Sequence, residues 1–471
     1  MSSGAVDARD QGALNQIAFL YETGDFAGAE AFCTNFLATL VEPHRQLPVH
    51  NWLGFITQRG GRLDEARAHF GRARQIDRRN PRLLVQLGAI NDSLGNLDEA
   101  EALYREALRY APQAPVAHYN LGVILQKKRE WTAARRAFEA ALMQHAAFPE
   151  AWLNLGNTLL QLEDARAAQE CYQRALAYRP GMAQALHALG LLAQRHGRPD
   201  EARSQFLAAV EADPTFVDAR LDLAENYFTS GLRAEALAAI EAALAVDPQH
   251  ETARFKAAFY RAENPPQMPA AVVAKVFDGM AASFDQHLVG QLGYRIPTLL
   301  METLAPHAQD GAWRVVDLGC GTGLFGVEVR RYSRQLVGVD LSEAMLAKAR
   351  ERGIYDELHK ADAVGFLDAA GPFDLIAATD VLVYLGDLEP LFSAAAHGLE
   401  RGGRLALSTE TPEELGADFE LQPTGRYAHA RHYIERLAGN HGFALETRKA
   451  TPIRTEANAP IPGYLYVLQR Q

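Results

Sequence analysis

Small, apolar and aromatic residues recur every 34 positions through the first half of the chain. Glycine or alanine marks one position, at Gly54, Gly88, Gly122, Gly156, Gly190 and Ala224. An aromatic residue or isoleucine marks another, at Phe70, Tyr104, Phe138, Tyr172, Phe206 and Ile240. This period predicts stacked helical hairpins. We expect the small residues to let paired helices approach closely, and the aromatic residue to fill the gap to the next hairpin.

The recurring unit is identified as a tetratricopeptide repeat, a helix–turn–helix hairpin. Six regular repeats run from about Leu47 to His250, and a degenerate one precedes them around Tyr21 to Ala29. Glu251 to Ala262 predicts a closing helix. Because each unit buries its face only against its neighbours, residues 10–262 are predicted to form an all-α solenoid. The proline-rich stretch 263–270 is predicted to be a linker.

The second half shows a different pattern, in which short apolar runs alternate with amphipathic stretches. Strands are predicted at 314–318, 335–339, 355–360, 373–378, 404–408, 443–450 and 463–470, and helices at 324–331, 388–399 and 432–440. Strands that alternate with helices indicate a parallel α/β sheet, and the two adjacent late strands predict a closing hairpin. We therefore expect a second, α/β domain over residues 271–471.

Three glycines at alternate positions follow the first predicted strand, in the run Asp317-Leu-Gly319-Cys320-Gly321-Thr-Gly323. Glycine permits a tight turn and lets a ligand approach the bare backbone. Open α/β sheets bind ligands at the carboxyl ends of their strands, where this loop is predicted to lie. The loop is therefore the first candidate binding site.

The same glycines also satisfy a dinucleotide-binding pattern, at Gly321 to Gly326. Asp317 argues against that interpretation, because a carboxylate before the loop would repel a pyrophosphate but could meet an ammonium group. Asp340, at the end of the second strand, can accept hydrogen bonds from ribose hydroxyls, and Leu341 can pack beside the base. Asp362, after the third strand, is placed to accept from an adenine amino group. A late hairpin also departs from the parallel dinucleotide fold.

With its spacing and its later carboxylates, the loop resembles the D/E-x-G-x-G-x-G motif of class I S-adenosylmethionine-dependent methyltransferases, over roughly Val272 to Gln471. The resemblance implies a seven-stranded Rossmann-like sheet, with S-adenosyl-L-methionine as cofactor and S-adenosyl-L-homocysteine as product. It implies cofactor contacts from Asp317, Gly319, Cys320, Gly321 and Gly323 to the amino-acid end, Asp340 to the ribose, and Leu341, Asp362 and Ala363 to the adenine. Nearly the whole chain resembles a bacterial family of predicted tetratricopeptide-repeat-containing methyltransferases, on the combination of the repeats, the glycine motif, a helix with two Phe-Asp pairs and a Gly-Arg-Tyr-x-His segment at 425–429.

Two Phe-Asp pairs lie seven residues apart before the glycine loop, at Phe277-Asp278 and Phe284-Asp285. This spacing places both pairs on one face of a helix. Methyltransferases often carry an aromatic-Asp pair in an N-terminal helix that covers the cofactor. The resemblance therefore implies that Phe284, with Tyr294, belongs to a lid, and ordinary packing of the helix on the sheet is the alternative.

A dense polar and aromatic segment lies between the fifth strand and the next helix, with Arg426, Tyr427, His429, Arg431 and Tyr433. In the fold implied by the resemblance, this connection emerges at the ligand end of the sheet. Arg426, Tyr427, Arg431 and Tyr433 are therefore candidates to bind the methyl acceptor. A place on the surface or at a helix cap is the alternative for His429.

A general base is needed only if the acceptor carries a proton that must leave. The candidate catalytic residues are His429 together with Asp380 and Tyr384, which follow the fourth strand. Arg454 and Glu456 are placed near the same rim. His429 has no cluster of cysteines or carboxylates around it in sequence, so no metal site is predicted.

The repeats predict a concave groove lined by their first helices. One groove-facing register reads Trp52, Gln86, Asn120, Asn154, Ala188 and Asp222. Amides in this register can hydrogen-bond the backbone of an extended peptide, as an asparagine ladder does in the similar repeats of the O-GlcNAc transferases. Asn120 and Asn154 are therefore candidates to bind a peptide, and solvated amides on a helix face are the alternative.

Composition and charge narrow the function classes. The net charge of −11 across 471 residues argues against a general nucleic-acid binder. The three cysteines lie far apart in sequence and favour a thiol-reducing, cytoplasmic location. No apolar run approaches the ~18 residues of a membrane span, and the first residues lack the basic-then-apolar pattern of a signal peptide.

Three hypotheses for the function remain. The first is methylation of a protein or peptide that the repeat groove recruits. The second is methylation of a small molecule by an enzyme whose repeats dock a partner or form a dimer. The third is a binding module with an inactive cofactor site, which the intact glycine motif disfavours. The sequence indicates neither the methyl acceptor nor the oligomeric state.

Overall fold

The computed structural model describes residues 8–281, 284–411, 416–422, 424–456 and 459–471. The chain divides into two compact units, residues 1–226 and 227–471. Within the described residues, no helix has both the length and the apolar character needed to cross a bilayer. The predicted boundaries at 262 and 270 remain predictions.

Helical hairpins make up the first unit and the start of the second. Their helices are α1 (Ala8–Glu22), α2 (Phe26–Thr39), α3 (Pro43–Arg59), α4 (Leu63–Ile76), α5 (Pro81–Ser93), α6 (Leu97–Tyr110), α7 (Pro115–Lys127), α8 (Trp131–Gln144), α9 (Pro149–Gln161), α10 (Ala165–Tyr178), α11 (Ala183–Arg195), α12 (Pro199–Ala212), α13 (Val217–Thr229), α14 (Arg233–Val246) and α15 (Glu251–Tyr260). The predicted tetratricopeptide solenoid is thereby confirmed, with one helix pair per 34-residue period.

The recurring glycine has a direct steric reason. A Cβ added at Gly122 in α7 would lie 2.6 Å from a ring carbon of Phe138 in α8. The same approach, at 2.5–2.6 Å, recurs at Gly54, Gly88, Gly156 and Gly190. The buried aromatic ring therefore packs onto the glycine of its own repeat, which the sequence analysis had not foreseen, as well as joining the apolar cluster shared with neighbouring repeats.

Replacing Gly122 with alanine should destabilise the first unit by about 1–3 kcal/mol, although alanine is the better helix former. The reason is that the Phe138 ring is fully buried and cannot move away from the new methyl group. Chemical denaturation of the variant and the wild type measures the difference. Gly71→Ala is the matched control, because its Cβ would meet nothing within 4 Å, and it should be neutral or slightly stabilising. Equal effects of the two substitutions would contradict this account.

The remainder of the second unit is an α/β domain. Its strands are β1 (Trp313–Leu318), β2 (Ser333–Asp340), β3 (Glu357–Lys360), β4 (Phe373–Ala378), β5 (Leu399–Glu410), β6 (Phe419–Leu421), β7 (Tyr427–His429), β8 (Phe443–Glu456) and β9 (Ala459–Arg470). Its helices are α16 (Ala270–Met280), α17 (Ile296–Leu304), α18 (Leu324–Val329), α19 (Glu343–Arg352), α20 (Ala363–Ala369), α21 (Glu389–Gly398) and α22 (Arg431–Asn440), with a π-helix at Gln286–Gln291.

Seven strands form one sheet in the order β3-β2-β1-β4-β5-β9-β8. β1 to β5 are parallel, and β9 runs antiparallel to both β5 and β8. The predicted seven-stranded Rossmann-like fold with a closing hairpin is therefore confirmed. Val315 and Val316 on β1 belong to separate buried clusters, as alternation along a strand requires when both faces of a sheet are covered.

Several strands run further than the sequence pattern predicted, and one pair was missed. β5 continues to Glu410 and β8 to Glu456, because each pairs with β9 beyond the predicted apolar core. The short antiparallel pair β6–β7 forms where a rim segment was expected. Three-residue strands carry too little periodicity to be recognised in sequence. These extensions bring β8 to the ligand edge of the sheet.

Candidate functional site

The glycine loop turns sharply between β1 and α18. Gly319, Gly321 and Gly323 have φ of 62°, 53° and 94°, a region in which side chains are strained. The Cys320 N–H donates to the carbonyl of Val339 at 3.0 Å, which ties the loop to β2. A Cβ on Gly319 would also lie 2.3 Å from Val381. The loop therefore requires glycine for both conformation and space.

Asp340 at the end of β2 holds the loop from the other side. Its Oδ2 accepts from the Gly321 N–H at 2.9 Å, and its Oδ1 accepts from the Ser342 N–H at 2.8 Å. Burial raises the pKa of this carboxyl group, against the lowering effect of these backbone donors. One carboxylate thus fixes the positions of two neighbouring loops.

Asp317 lies beneath the loop and is fully buried. The Tyr355 hydroxyl donates to its Oδ2 at 2.7 Å, whereas Oδ1 has no hydrogen-bond partner among the described residues. Burial raises the pKa of Asp317 to about 7. The carboxyl group is not among those that line the cavity described next, so the structure places it behind the loop.

A cavity of about 630 Å³ opens at the carboxyl ends of the parallel strands. Of the residues predicted for cofactor and acceptor, it is lined by Phe284, Tyr294, Gly319, Cys320, Gly321, Asp340, Leu341, Asp362, Ala363, Asp380, Tyr384 and Arg426. The structure therefore gathers most of the predicted site in one place. Gly323 instead precedes the first residue of α18, and Asp362 also caps α20 by accepting from the Gly365 N–H at 2.8 Å.

The described residues between α16 and Tyr294 cover one side of this cavity, and we call these residues, 270–281 and 284–294, the lid. The rings of Phe277 and Phe284 meet edge to face at 5.9 Å, and Phe277 meets Tyr384 in the same way at 5.4 Å. These three side chains line the cavity. The lid therefore contributes an aromatic wall to it.

The aspartates of the two Phe-Asp pairs hold the lid against the loops that follow β1 and β2. Asp278 accepts from the hydroxyl of Ser342 and from the Ala344 N–H. Asp285 accepts from the Thr322 hydroxyl and from the Arg352 guanidinium. The seven-residue spacing thus gives one anchor to the Asp340 loop and one to the glycine loop.

A buried cluster of charged side chains lies at the opposite end of the cavity, below β4, β5 and β8. Arg454 donates from Nη1 to Asp380 at 2.9 Å, from Nε to Glu456 at 2.6 Å and from Nη2 to Glu410. Arg426 donates to the same Glu456. We call these five residues the Arg454 cluster. Asp380, Arg426 and Arg454 line the cavity.

Four of the predicted acceptor-side residues do not reach the cavity. His429 is fully buried, its Nε2 lies 2.8 Å from the Leu385 carbonyl, and burial lowers its pKa to about 4. The Tyr427 hydroxyl donates to the Pro265 carbonyl, and the Tyr433 hydroxyl donates to Asp387. Arg431 is exposed near Glu435. These placements support a structural part for all four, with His429 bound to backbone instead of facing the cavity.

Some residues of the site were not predicted from the sequence. The predicted linker contributes Gln267 and Met268 to the cavity wall, and the Met268 N–H donates to the Tyr384 carbonyl at 3.0 Å. Tyr355, the partner of Asp317, stood at the start of a predicted strand. The sequence did contain a signal for Tyr355, namely an aromatic residue with a hydroxyl group beside a strand that ends at the site. Nothing in the sequence pattern indicated that the linker belongs to the site.

The side-chain amides of the two candidate asparagines in the repeats each lie beside a tyrosine hydroxyl. Asn154 donates from Nδ2 to the Tyr119 hydroxyl at 3.1 Å, across adjacent repeats. Asn120 lies near the hydroxyl of Tyr104 and acts on its pKa against the raising effect of burial. Both side chains are half-buried, as are the other members of their register. They are therefore ordered amides, each with remaining hydrogen-bonding capacity.

Comparison with known protein families agrees with this architecture. A family model described as a methyltransferase domain matches residues 315–403. Tetratricopeptide-repeat models match residues 46–113, 93–153, 153–215 and 193–258. Among solved structures, the tetratricopeptide protein YrrB, described as having an unusual peptide-binding site, is 27% identical, with 40% of this chain and 96% of that chain covered and a TM-score of 0.33.

Three curated methyltransferase relatives each match about a third of this chain. The biotin biosynthesis bifunctional protein BioHC of Saccharophagus degradans is 28% identical over 32% of this chain and 26% of its own length. A ubiquinone biosynthesis O-methyltransferase of Nitrosococcus oceani is 28% identical over 30% of this chain and 66% of its own. The one of Xanthomonas axonopodis pv. citri is 30% identical over 31% of this chain and 69% of its own.

The chain thus spans about a quarter of the first of these relatives and about two thirds of the other two. Sheet order, glycine loop, cavity and family match all fall in the same region. No group of three or more potential metal ligands occurs in the part of the chain that the structure describes. The chain belongs to the class I S-adenosylmethionine-dependent methyltransferases, with tetratricopeptide repeats in front of its methyltransferase domain.

Proposed function

We propose that this protein transfers a methyl group from S-adenosyl-L-methionine to a side chain of a protein or peptide that the repeats recruit. Methyl transfer from this cofactor is supported by one continuous cavity, which extends from the glycine loop, Asp340 and Asp362 to the Arg454 cluster. Recruitment of a protein or peptide is supported by the repeats, because tetratricopeptide arrays present extended surfaces suited to peptides.

The residues present fit this cofactor. The Asp340 carboxylate keeps acceptor capacity for ribose hydroxyls after taking two backbone N–H groups, since a carboxylate has about four acceptor sites. Asp362 and Ala363 line the wall next to it. The cofactor carries a sulfonium and an ammonium group, and the negative charges of the surrounding aspartates favour both of these positive groups. A buried Asp317 oxygen without a partner lies behind the same loop.

S-adenosyl-L-methionine supplies an already activated methyl group, so this chain mainly has to align the acceptor and exclude water. Such alignment can contribute ~7–11 kcal/mol to lowering the barrier. Phe277, Phe284 and Tyr384 form an aromatic wall, and aromatic faces near a sulfonium add cation–π stabilisation. Burial raises the pKa of Tyr384 to about 12, so its hydroxyl stays protonated and acts as a hydrogen-bond donor.

Two measurements test the proposal. Calorimetric titration of the full chain with S-adenosyl-L-methionine should show one site. Incubation with a lysate of the host and a radioactive methyl donor should then place label in a protein band. Absence of cofactor binding would refute the methyl-transfer proposal, and label confined to the small-molecule fraction would refute the protein acceptor.

Replacing both Asn120 and Asn154 with alanine should reduce labelling of the macromolecular substrate about 10-fold or more. Each amide that hydrogen-bonds a peptide backbone contributes ~0.5–1.5 kcal/mol, and two such losses add. The cofactor dissociation constant should not change. Gln144→Ala/Gln173→Ala is the matched control, because both glutamines are exposed on second helices of the repeats. Unchanged labelling by the asparagine variant would count against groove recruitment.

Methylation of a small molecule is the second candidate. It is favoured by the names of the relatives, which include ubiquinone biosynthesis and malonyl-[acyl-carrier protein] O-methyltransferases. Under this alternative the repeats dock a partner or form a dimer. The full chain should be used in the assay, because the backbone of residues 266–268 hydrogen-bonds to the backbone of residues 384–387 beside the cavity.

A further inference from the structure

The Arg454 cluster is built from parts of the sheet that lie far apart in sequence. Arg454 is 2% exposed and Glu410 6% exposed, so this pair is withdrawn from solvent. A buried guanidinium requires several acceptors, and Asp380, Glu410 and Glu456 supply them. All five donors and acceptors converge at the end of the cavity away from Asp340. Burying charged side chains together in this way costs free energy, which indicates that the position of one of these side chains matters.

Asp380 is the member that the cluster holds toward the cavity. Its φ of 58° lies in the left-handed region, which costs a non-glycine residue energy. The conformation is held from two sides, because its N–H donates to the Ser408 Oγ at 2.9 Å and its Oδ1 accepts from Arg454. Its Oδ2 receives no hydrogen bond from the residues that the structure describes. The second oxygen is therefore available to a ligand in the cavity.

Two tyrosines and one histidine near this end are poorly suited to accept a proton from a ligand. Burial and the charge of Asp380 raise the pKa of both Tyr294 and Tyr384, so both hydroxyls remain protonated. His429 is buried against backbone carbonyls and does not line the cavity. His287 lines the cavity from the lid. Asp380 thus remains the carboxylate of the Arg454 cluster that lines the cavity.

The charges of the cluster indicate the class of acceptor. When all are ionised, Asp380, Glu410 and Glu456 carry three negative charges, and Arg426 and Arg454 carry two positive ones. Of these five side chains, Asp380, Arg426 and Arg454 line the cavity. The two arginines are engaged by carboxylates, and the Oδ2 of Asp380 favours an acceptor that donates a hydrogen bond, which an ionised carboxylate cannot do.

We infer that Asp380 accepts the proton of the methyl acceptor, that Arg454 is the positioning residue for Asp380, and that the acceptor is a hydroxyl or amine group and not a carboxylate. This inference rests on the proposed methyl transfer. The acceptor oxygen or nitrogen forms the new bond to the methyl carbon with its lone pair. The carbon–sulfur bond breaks with its electrons going to sulfur, and the acceptor proton goes to Asp380 Oδ2.

The stability of the transferred label to base tests the acceptor class. Protein and small-molecule fractions labelled in the host lysate are treated with dilute sodium hydroxide. Methyl esters release volatile methanol, whereas methyl ethers and methylamines keep their label. We expect base-stable label, and release as methanol would overturn the inference. If the wild type binds no S-adenosyl-L-methionine, the proposed function itself fails, which is a separate result.

Variants test the two assigned residues. Asp380→Asn should lower the labelling rate about 10²–10⁴-fold, the usual contribution of a general base, with the cofactor dissociation constant unchanged. Sodium formate should partly restore labelling by Asp380→Ala, because it supplies a mobile carboxylate. A merely structural Asp380 would show no such rescue, and absence of rescue in a folded, cofactor-binding variant would overturn the assignment.

Arg454→Lys keeps the charge but cannot serve three carboxylates in fixed directions. It should lower the labelling rate while leaving cofactor affinity near that of the wild type, and it should also lower the thermal midpoint because buried carboxylates lose hydrogen bonds. Arg448→Met is the matched control on the same strand, since Arg448 pairs with Glu435 at the surface. A wild-type rate for Arg454→Lys would overturn the positioning part. If Arg454→Lys is unstable, Glu410→Gln, which removes one charge of the cluster, replaces it with the same expected loss of rate.

Discussion

Asp340→Ala should weaken S-adenosyl-L-methionine binding about 100-fold or more. The variant removes the carboxylate that is proposed to receive the ribose hydroxyls, and hydrogen bonds to charged groups contribute ~1.5–3 kcal/mol each. Two such bonds correspond to about 10² to 10⁴ in affinity. The variant also releases the Gly321 N–H, which Asp340 now holds at 2.9 Å, so the glycine loop loses part of its order.

Calorimetric titration of the full chain measures this effect directly. Asp340→Asn should give a smaller loss, because the amide keeps one acceptor oxygen. Asp310→Ala is the control, since Asp310 is an exposed partner of Arg331 and lies outside the cavity lining. If Asp340→Ala binds the cofactor as tightly as Asp310→Ala does, the assignment of this end of the cavity is wrong.

Asp317→Asn should stabilise the second unit above pH 7 by several kcal/mol. The native pKa of Asp317 is raised by burial to about 7, against 3.8 as the ordinary value. Between these values the folded chain binds a proton that the unfolded chain has lost, so wild-type stability falls as pH rises. Each pKa unit corresponds to about 1.4 kcal/mol, and the three units of this window give on the order of 4 kcal/mol. The asparagine variant carries no such titration.

Urea denaturation followed by pulse proteolysis resolves this effect for the second unit alone. At pH 4 the variant and the wild type should differ little, and the difference should grow up to pH 8. Asp374→Asn is a suitable comparison, because Asp374 is half-buried and also accepts from backbone, at the Arg314 N–H. A pH-independent difference between Asp317→Asn and the wild type would contradict the linkage.

The predictable parts of this protein are those that local periodicity encodes. The 34-residue recurrence of small and aromatic residues identified the repeat array, because each hairpin repeats the same steric fit of ring on glycine. Four of the five parallel strands were recognisable as apolar runs, whereas β3, which reads Glu-Leu-His-Lys, gave a weaker signal. The ends of β5 and β8 were not, because pairing with β9 extends them past their apolar residues.

The candidate site divides along the same line. Residues next to a strand end, such as Gly321, Asp340 and Asp380, could be predicted because parallel strands place their carboxyl ends at one edge. Arg454 and Glu456 were placed near the rim from the sequence, but the ion pairs of Arg454 with Asp380 and Glu410 depend on how far the final hairpin reaches. His429 faces backbone and not the cavity, because its segment forms the unforeseen pair β6–β7. Side-chain direction in irregular segments depends on contacts distant in sequence.

The hydrogen bonds of Asn264 determine where another repeat array can be joined to the methyltransferase domain. Its side-chain amide donates to the Phe419 carbonyl at 2.7 Å and accepts from the Leu421 N–H at 2.9 Å, as a neighbouring strand would. Pro266 then accepts from the Gly386 and Asp387 N–H groups. A chimaera that grafts another repeat array onto this methyltransferase domain should therefore be joined before Asn264. A junction at residue 270 would delete a piece of the catalytic fold.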